Sequence, residues 1–171
     1  ILGLNSVMRQ ALASAAGAVV GMAEVKVREK ARPLIGMTAL GVTTPAVMNM
    51  KPFIEERGYE AIVFHTKTKI LDELVDADRI CGIIDLTPFE VMIPISFHLP
   101  AEMAEGRLKS AGEKRLPQII IPGGLDMFIF PGTKETVPSE YSERLLHVHG
   151  PDIVLVRTTA EEVSTAAGVL A

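Results

Sequence analysis

The sequence predicts an α/β domain: an open, doubly wound, mostly parallel sheet with helices on both faces. Two observations lead there. Short aliphatic runs alternate with segments of helical period, the pattern that implies parallel strands joined by right-handed crossovers. The runs are near-continuously apolar, as strands covered on both faces are. Composition agrees, since 48% of the 171 residues are apolar, 22% charged and 5% aromatic, with no tryptophan. That is an aliphatic globular make-up on a chain long enough for a substantial core.

Asn5 to Val27 reads as a helix rich in alanine and glycine, serving either as a core helix or as an interface helix. Glu24, Lys26, Arg28, Glu29, Lys30 and Arg32 form a mixed-charge exit. Leu34–Leu40 is the first strand. Gly41-Val42-Thr43-Thr44 then makes a tight turn, with Thr43 or Thr44 as N-cap and Pro45 at the first helical position. Ala46, Val47, Met50, Phe53 and Ile54 recur at helical spacing over 44–57, although Pro52 should kink or split that helix. Gly58 supplies its C′ residue.

Ala61–Phe64 is the second strand, and His65-Thr66-Lys67-Thr68-Lys69 the loop after it. A helix follows over 70–75, with Ile70, Leu71, Leu74 and Val75 inward. The third strand, Ile80–Asp85, carries Cys81 mid-strand as inert packing, and Thr87-Pro88-Phe89-Glu90 has capping-box spacing. Residues 93–100 are an apolar run broken by two prolines. A helix over 101–114 leads to the fourth strand, Gln118–Ile121, which ends in Pro122-Gly123-Gly124. Leu125–Phe130 forms a short further strand. Pro131–Ser142 is a polar loop, lid or oligomer arm, and Leu145–His149 a short extended piece. Asp152–Val156 is the last strand, with Thr159 and Glu162 at capping-box spacing before a C-terminal helix.

Several function classes drop out. A formal net charge of -4 with no basic stripe argues against nucleic-acid binding. No apolar run approaches the roughly 20 residues of a membrane span. The single cysteine, Cys81, cannot form an intrachain disulfide, which suits a cytoplasmic protein. The chain starts at Ile1, so a fragment, a processed product or one half of a longer protein is expected.

In doubly wound sheets ligands bind beyond the carboxyl ends of the strands. Those ends are Gly41–Thr44, His65–Thr68, Asp85–Thr87, Gly123–Asp126 and Thr158–Thr159. A helix N-terminus at Gly41, Thr43 and Thr44 suits a phosphate or carboxylate, though simple capping needs the same residues. Asp85 and Asp126 are candidates for ribose hydroxyls, a magnesium ion or acid–base work. Gly123 and Gly124 would let a ligand approach the backbone beside them. His147 and His149 project from one face if extended, and with His65 or an aspartate they would suit a divalent metal. Hydrogen bonding that orders the polar loop, or an oligomer contact, is the simpler explanation of the histidine pair. Walker-type and Gly-x-Gly-x-x-Gly fingerprints are absent, as is a Gly-x-Ser-x-Gly elbow.

A resemblance spans almost the whole chain. It is carried by Ile1-Leu2-Gly3-Leu4-Asn5, Ala15-Ala16-Gly17-Ala18, the block from Pro33 to Pro45, Gly58-Tyr59-Glu60 with Phe64-His65, and Asp85-Leu86-Thr87. Its most specific part is Pro122-Gly123-Gly124-Leu125-Asp126-Met127, joined to Thr136-Val137-Pro138, Leu146-His147-Val148-His149 and Arg157-Thr158-Thr159. On these residues the chain resembles the second, C-terminal half of the Tm-one-like ATP-binding family, an uncharacterised protein family that includes a tomato mosaic virus resistance protein.

The resemblance implies two Rossmann-like halves, with 1–30 as a helical connector to a missing first half and 31–171 as the α/β domain. It also implies dimers and ATP binding in at least some members, and no settled enzymatic activity. One departure stands out. Where family members often carry a glycine-rich Ala-Thr-Gly-Thr-Gly-Gly turn after the strand-two histidine, this chain has Thr66-Lys67-Thr68-Lys69. Lys67 and Lys69 offer charge there without the same backbone approach.

The leading expectation is a half-domain that recognises an anionic small molecule, ATP or another phosphorylated ligand, through Gly41, Thr43, Thr44, His65, Asp85, Thr87, Gly123, Gly124 and Asp126. The alternatives are a metal-assisted hydrolase or lyase using Asp85, Asp126, His147 and His149, and an oligomerisation or protein-interaction module.

Overall fold

The structure is a computed structural model that describes residues 3–26, 32–65, 69–100 and 109–171. The chain divides into two compact units, 1–31 and 32–171.

The first unit contains one helix, α1 (Ser6–Glu24). The Asn5 side chain caps it by accepting from the Met8 N–H at 3.0 Å. The helix ends before the Val27 that periodicity suggested, because Val25 turns to extended backbone. No α1 residue is buried.

In the second unit, β1 (Leu34–Ala39), β2 (Glu60–His65), β3 (Gly82–Asp85) and β4 (Gln118–Ile120) form a parallel sheet in the order β2-β1-β3-β4. Helix α2 (Thr44–Glu56) covers one face, where Val47 and Ile54 pack on Met37, Ala39 and Ala61. Helices α3 (Lys69–Asp76) and α5 (Lys109–Glu113) cover the other, with Leu71, Val75 and Ala111 against Ile80 and Ile83. The doubly wound arrangement is therefore as expected. Gly36 belongs to this packing, since a β-carbon there would stand 2.5 Å from Leu71 Cδ1.

Several local expectations are revised. Pro52 does not split α2, which runs unbroken past it. The carbonyl its missing N–H would have served belongs to Met48, 59% exposed, so water can serve it instead. Gly58, at φ +85°, closes the helix as expected. Its N–H donates to the Glu55 carbonyl at 3.1 Å and that of Tyr59 to the Ile54 carbonyl at 3.4 Å, a Schellman pair. Ile70 is 61% exposed, so α3 packs through Leu71 and Val75 without it. Cys81 is exposed and precedes β3, because the strand begins only at Gly82. The helix expected over 101–114 is described only as α5, the rest lying outside the described residues.

After β4 the chain leaves the parallel sheet. Strands β5 (Met127–Pro131), β6 (Leu146–Gly150) and β7 (Ile153–Arg157) make a separate antiparallel sheet in the order β5-β7-β6. Only Pro151 and Asp152 separate β6 from β7, far too few for a parallel crossover. Phe128, Val154 and Val156 are fully buried beneath this sheet, against Leu40, Phe89 and Tyr141. Helix α4 (Met92–Ser96) and helix α6 (Ala160–Leu170) pack together around Met92, Leu125 and Ala166.

Candidate functional site

The strand order reverses at β1: the chain steps to β2 on one side and to β3 on the other. This makes the β1 and β3 carboxyl ends the switch point where doubly wound sheets place a ligand. At the β1 end, the Thr43 and Thr44 N–H groups both donate to the Leu40 carbonyl, at 3.0 and 2.8 Å, and wind the turn directly into α2. At the β3 end, Asp85 is fully buried and accepts from the Thr38 hydroxyl and, at 3.1 Å, from the Thr87 N–H.

Thr43 does something other than cap. It makes no side-chain N-cap, and the short 3-10 turn Phe89–Val91 takes Pro88 rather than Thr87 as its N-cap residue. Thr43 is the N-cap residue by position, which puts Pro45 second in the helix rather than first. Proline there has no N–H for a cap to bind. The Thr43 hydroxyl instead accepts from the Leu40 N–H at 2.9 Å and bonds the Thr87 hydroxyl at 2.7 Å. That bond ties the β1 loop to the β3 loop. Thr159 and Glu162 form the expected capping box.

Gly123 and Gly124 close the cluster from the β4 side. A β-carbon on Gly123 would stand 2.2 Å from the Leu86 carbonyl oxygen and 2.7 Å from Thr43 Cγ2. Gly124 has φ +74° and would meet Thr87 Cγ2 at 3.2 Å. Packing against the Leu86 backbone thus demands glycine at 123, and the positive φ favours it at 124. Gly123→Ala is expected to lower unfolding free energy by about 1–3 kcal/mol in urea unfolding, as overpacking against backbone does. A loss under about 0.5 kcal/mol would mean the loops move apart freely.

The predicted residues therefore divide. Gly41, Thr43, Thr44, Asp85, Thr87, Gly123 and Gly124 converge at the switch point. Of these, Asp85, Thr87 and Gly124 are buried, whereas Gly41 and Thr44 are exposed and Gly123 half-buried. His65 ends β2 opposite Ala39 and is exposed. Thr66, Lys67 and Thr68 lie outside the described residues, and Lys69 is 3.9 Å from Glu73. Asp126 lies in the turn just before β5, and its carboxylate pairs with Arg157 of β7 at 3.0 Å, both side chains well exposed. The Thr158 N–H donates to the Asp126 carbonyl, joining the ends of β7 and β5.

His147 and His149 sit exposed on β6, their ring centroids 6.3 Å apart. Asp85, Asp126 and this pair thus have quite different surroundings. Among the described residues no group of three or more histidine, cysteine, aspartate or glutamate side chains is placed to hold a metal.

Sequence reading missed a recess of about 330 Å³, lined by Ile95, His98, Arg144, Thr159, Glu161, Glu162 and Thr165. His98 takes φ +51° just after α4. Arg144 reaches both Glu162 carboxylate oxygens, at 3.1 and 2.9 Å, and lies over the Tyr141 ring at 4.9 Å. Burial first, then Glu140, pushes the Tyr141 hydroxyl up to about 12, and it donates to the Ser96 carbonyl at 2.7 Å. The capping spacing of Thr159 and Glu162 marked one wall of this recess; nothing local marked Arg144 or His98.

Comparison with known proteins fits this architecture. Residues 32–171 match the family described as the C-terminal domain of uncharacterised protein family UPF0261. A UPF0261 protein of Clostridium tetani is 36% identical over 95% of this chain and 41% of its own length. Another from Rhizobium meliloti is 38% identical over 94% of the chain and 40% of its own. The tomato ToMV resistance protein Tm-1(GCR237) is 32% identical over the whole chain, which covers 24% of the tomato protein. The chain thus spans about two fifths or less of these relatives, and over 32–171 it belongs to the UPF0261 family as its C-terminal domain.

Proposed function

We propose that this domain binds an anionic small molecule of the phosphorylated class, ATP included, at the carboxyl ends of β1 and β3. In this reading it acts as one part of a longer cytoplasmic protein. The observation that carries the reading is the convergence at the topological switch point. Three loops meet there, locked by the Thr43–Thr87 hydroxyl bond and the close approach of Gly123. The exposed Gly41 and Thr44 stand at the start of the thirteen-residue α2, whose N-terminal dipole favours negative charge. In this arrangement Asp85, Thr87 and Gly124 hold the loops, while Gly41, Thr44, Gly123 and His65 form the surface a ligand meets.

Calorimetry of the full-length protein against ATP, other nucleotides and sugar phosphates is expected to give saturable binding. Thr44→Glu puts a carboxylate where the ligand's charge would lie, yet it suits the helix dipole, so the fold should survive. Affinity should then fall by about tenfold or more, or at least 1.4 kcal/mol. Absence of binding across the panel, or unchanged affinity in the variant, removes the proposal.

A further inference from the structure

Strand β6 is the outer strand of the antiparallel sheet, and among the described residues only β7 pairs with it. The Arg157 N–H donates to the Leu145 carbonyl at 3.0 Å, which makes that opposed pair a hydrogen-bonded one. Bonded and non-bonded pairs alternate along an antiparallel ladder. With Leu146 opposite Val156 and Val148 opposite Val154, both Leu146 and Val148 therefore turn their backbone N–H and C=O groups outward. Such an edge is a template for another strand. Of the usual protections, Leu146–Gly150 lacks lysine, proline and formal charge and carries only a register shift, between Val148 and Gly150. Val148 is 55% exposed and Leu145 73%.

The two histidines add chemistry to this edge. His147 and His149 are exposed, their rings 6.3 Å apart. Zinc–nitrogen distances of about 2.0–2.1 Å at a tetrahedral angle would bring two ring centroids to about 5 Å, a small side-chain rotation away. Two imidazoles leave such an ion half-coordinated. No third histidine, cysteine or carboxylate among the described residues completes the set.

We propose that β6 pairs antiparallel with β6 of a second copy about a two-fold axis at Val148, and that the four imidazoles of the two strands bind one divalent transition metal. The symmetry fits the backbone up to Val148, after which the register shifts by one residue around His149. Val148 would exchange both of its outward hydrogen bonds with Val148 of the second copy. His147 would then face His149 of the second copy at a non-bonded position, where antiparallel strands bring Cα atoms to about 4.5 Å and side chains closest. Imidazole nitrogens on a borderline-soft site select zinc, copper or nickel over magnesium or calcium. The metal site is incomplete without the second copy, so metal binding and association are one event.

Sedimentation velocity of the purified protein with zinc chloride is the test. Half an equivalent of zinc per chain is expected to double the sedimenting mass, and EDTA to reverse it. The double variant His147→Ala/His149→Ala alters only exposed side chains and should lose the doubling. Val148→Lys keeps both imidazoles but sets two like charges opposite each other, and should weaken association by about tenfold or more. Doubling that persists in the double variant, zinc binding without a change in mass, indifference to Val148→Lys, or no zinc binding at all would each overturn the proposal.

Discussion

Replacing Asp85 with alanine is expected to lower the unfolding free energy by about 3 kcal/mol in urea or guanidinium titration. Asp85 is fully buried at the end of the central β3, and its carboxylate receives the Thr38 hydroxyl and the Thr87 N–H. Truncation removes both bonds and strands their buried donors, and an unmade buried bond costs more than a made one gains. Asp85→Asn keeps the shape and the one oxygen that accepts from both Thr38 and Thr87, so a loss well below that of alanine is expected. Thr87 also bonds Thr43, so the alanine variant should loosen the β1–β3 tie and show faster amide exchange at Thr43 and Thr44. An Asp85→Ala protein as stable as the parent would show that this carboxylate is not a structural brace.

Phe128→Ala should have an effect of similar or greater size, about 3–5 kcal/mol. Phe128 is fully buried and meets Phe97 and Tyr141 edge to face, each with ring centroids 5.2 Å away. Alanine would leave a cavity beneath the antiparallel sheet and remove both aromatic contacts. Arg144 lies over both Phe128 and Tyr141, so the Arg144–Glu162 pair should loosen as well. Phe128→Leu refills most of the volume and should recover more than half of the loss. Equal stability of the alanine and leucine variants would show that the sheet collapses onto the gap.

Much of the fold was legible because its signals are local. The runs at 34–40, 61–64, 80–85 and 118–121 became parallel strands, and the helical spacing of Val47 and Ile54 marked the face that α2 buries. Gly58 and the Thr159–Glu162 pair announced a helix end and a helix start through bonds spanning a few residues. Sheet membership was less visible. Leu146–Gly150 and Ile153–Arg157 look like any aliphatic strands, and only the short Pro151-Asp152 link betrays a hairpin.

At the candidate site, residue types suggested which loops matter but not what each side chain does. Thr43 and Thr87 carry the signature of helix caps, yet their hydroxyls find each other across forty-four positions of chain. Asp85 and Asp126 read as a pair from sequence. In the structure one is walled in by Thr38 and Thr87, and the other turns to Arg157.

By itself, then, the sequence determined the alternating elements, the turns that punctuate them and the clustering of threonine and glycine at strand ends. Periodicity, proline and glycine act within a few residues of where they are written. Tertiary structure alone decided that β5, β6 and β7 form their own sheet, that Gly123 is required by a carbonyl 2.2 Å from its missing β-carbon, and that among the described residues β6 pairs with β7 alone, two imidazoles beside it. Each of these depends on which distant backbone arrives alongside, and no local pattern encodes that.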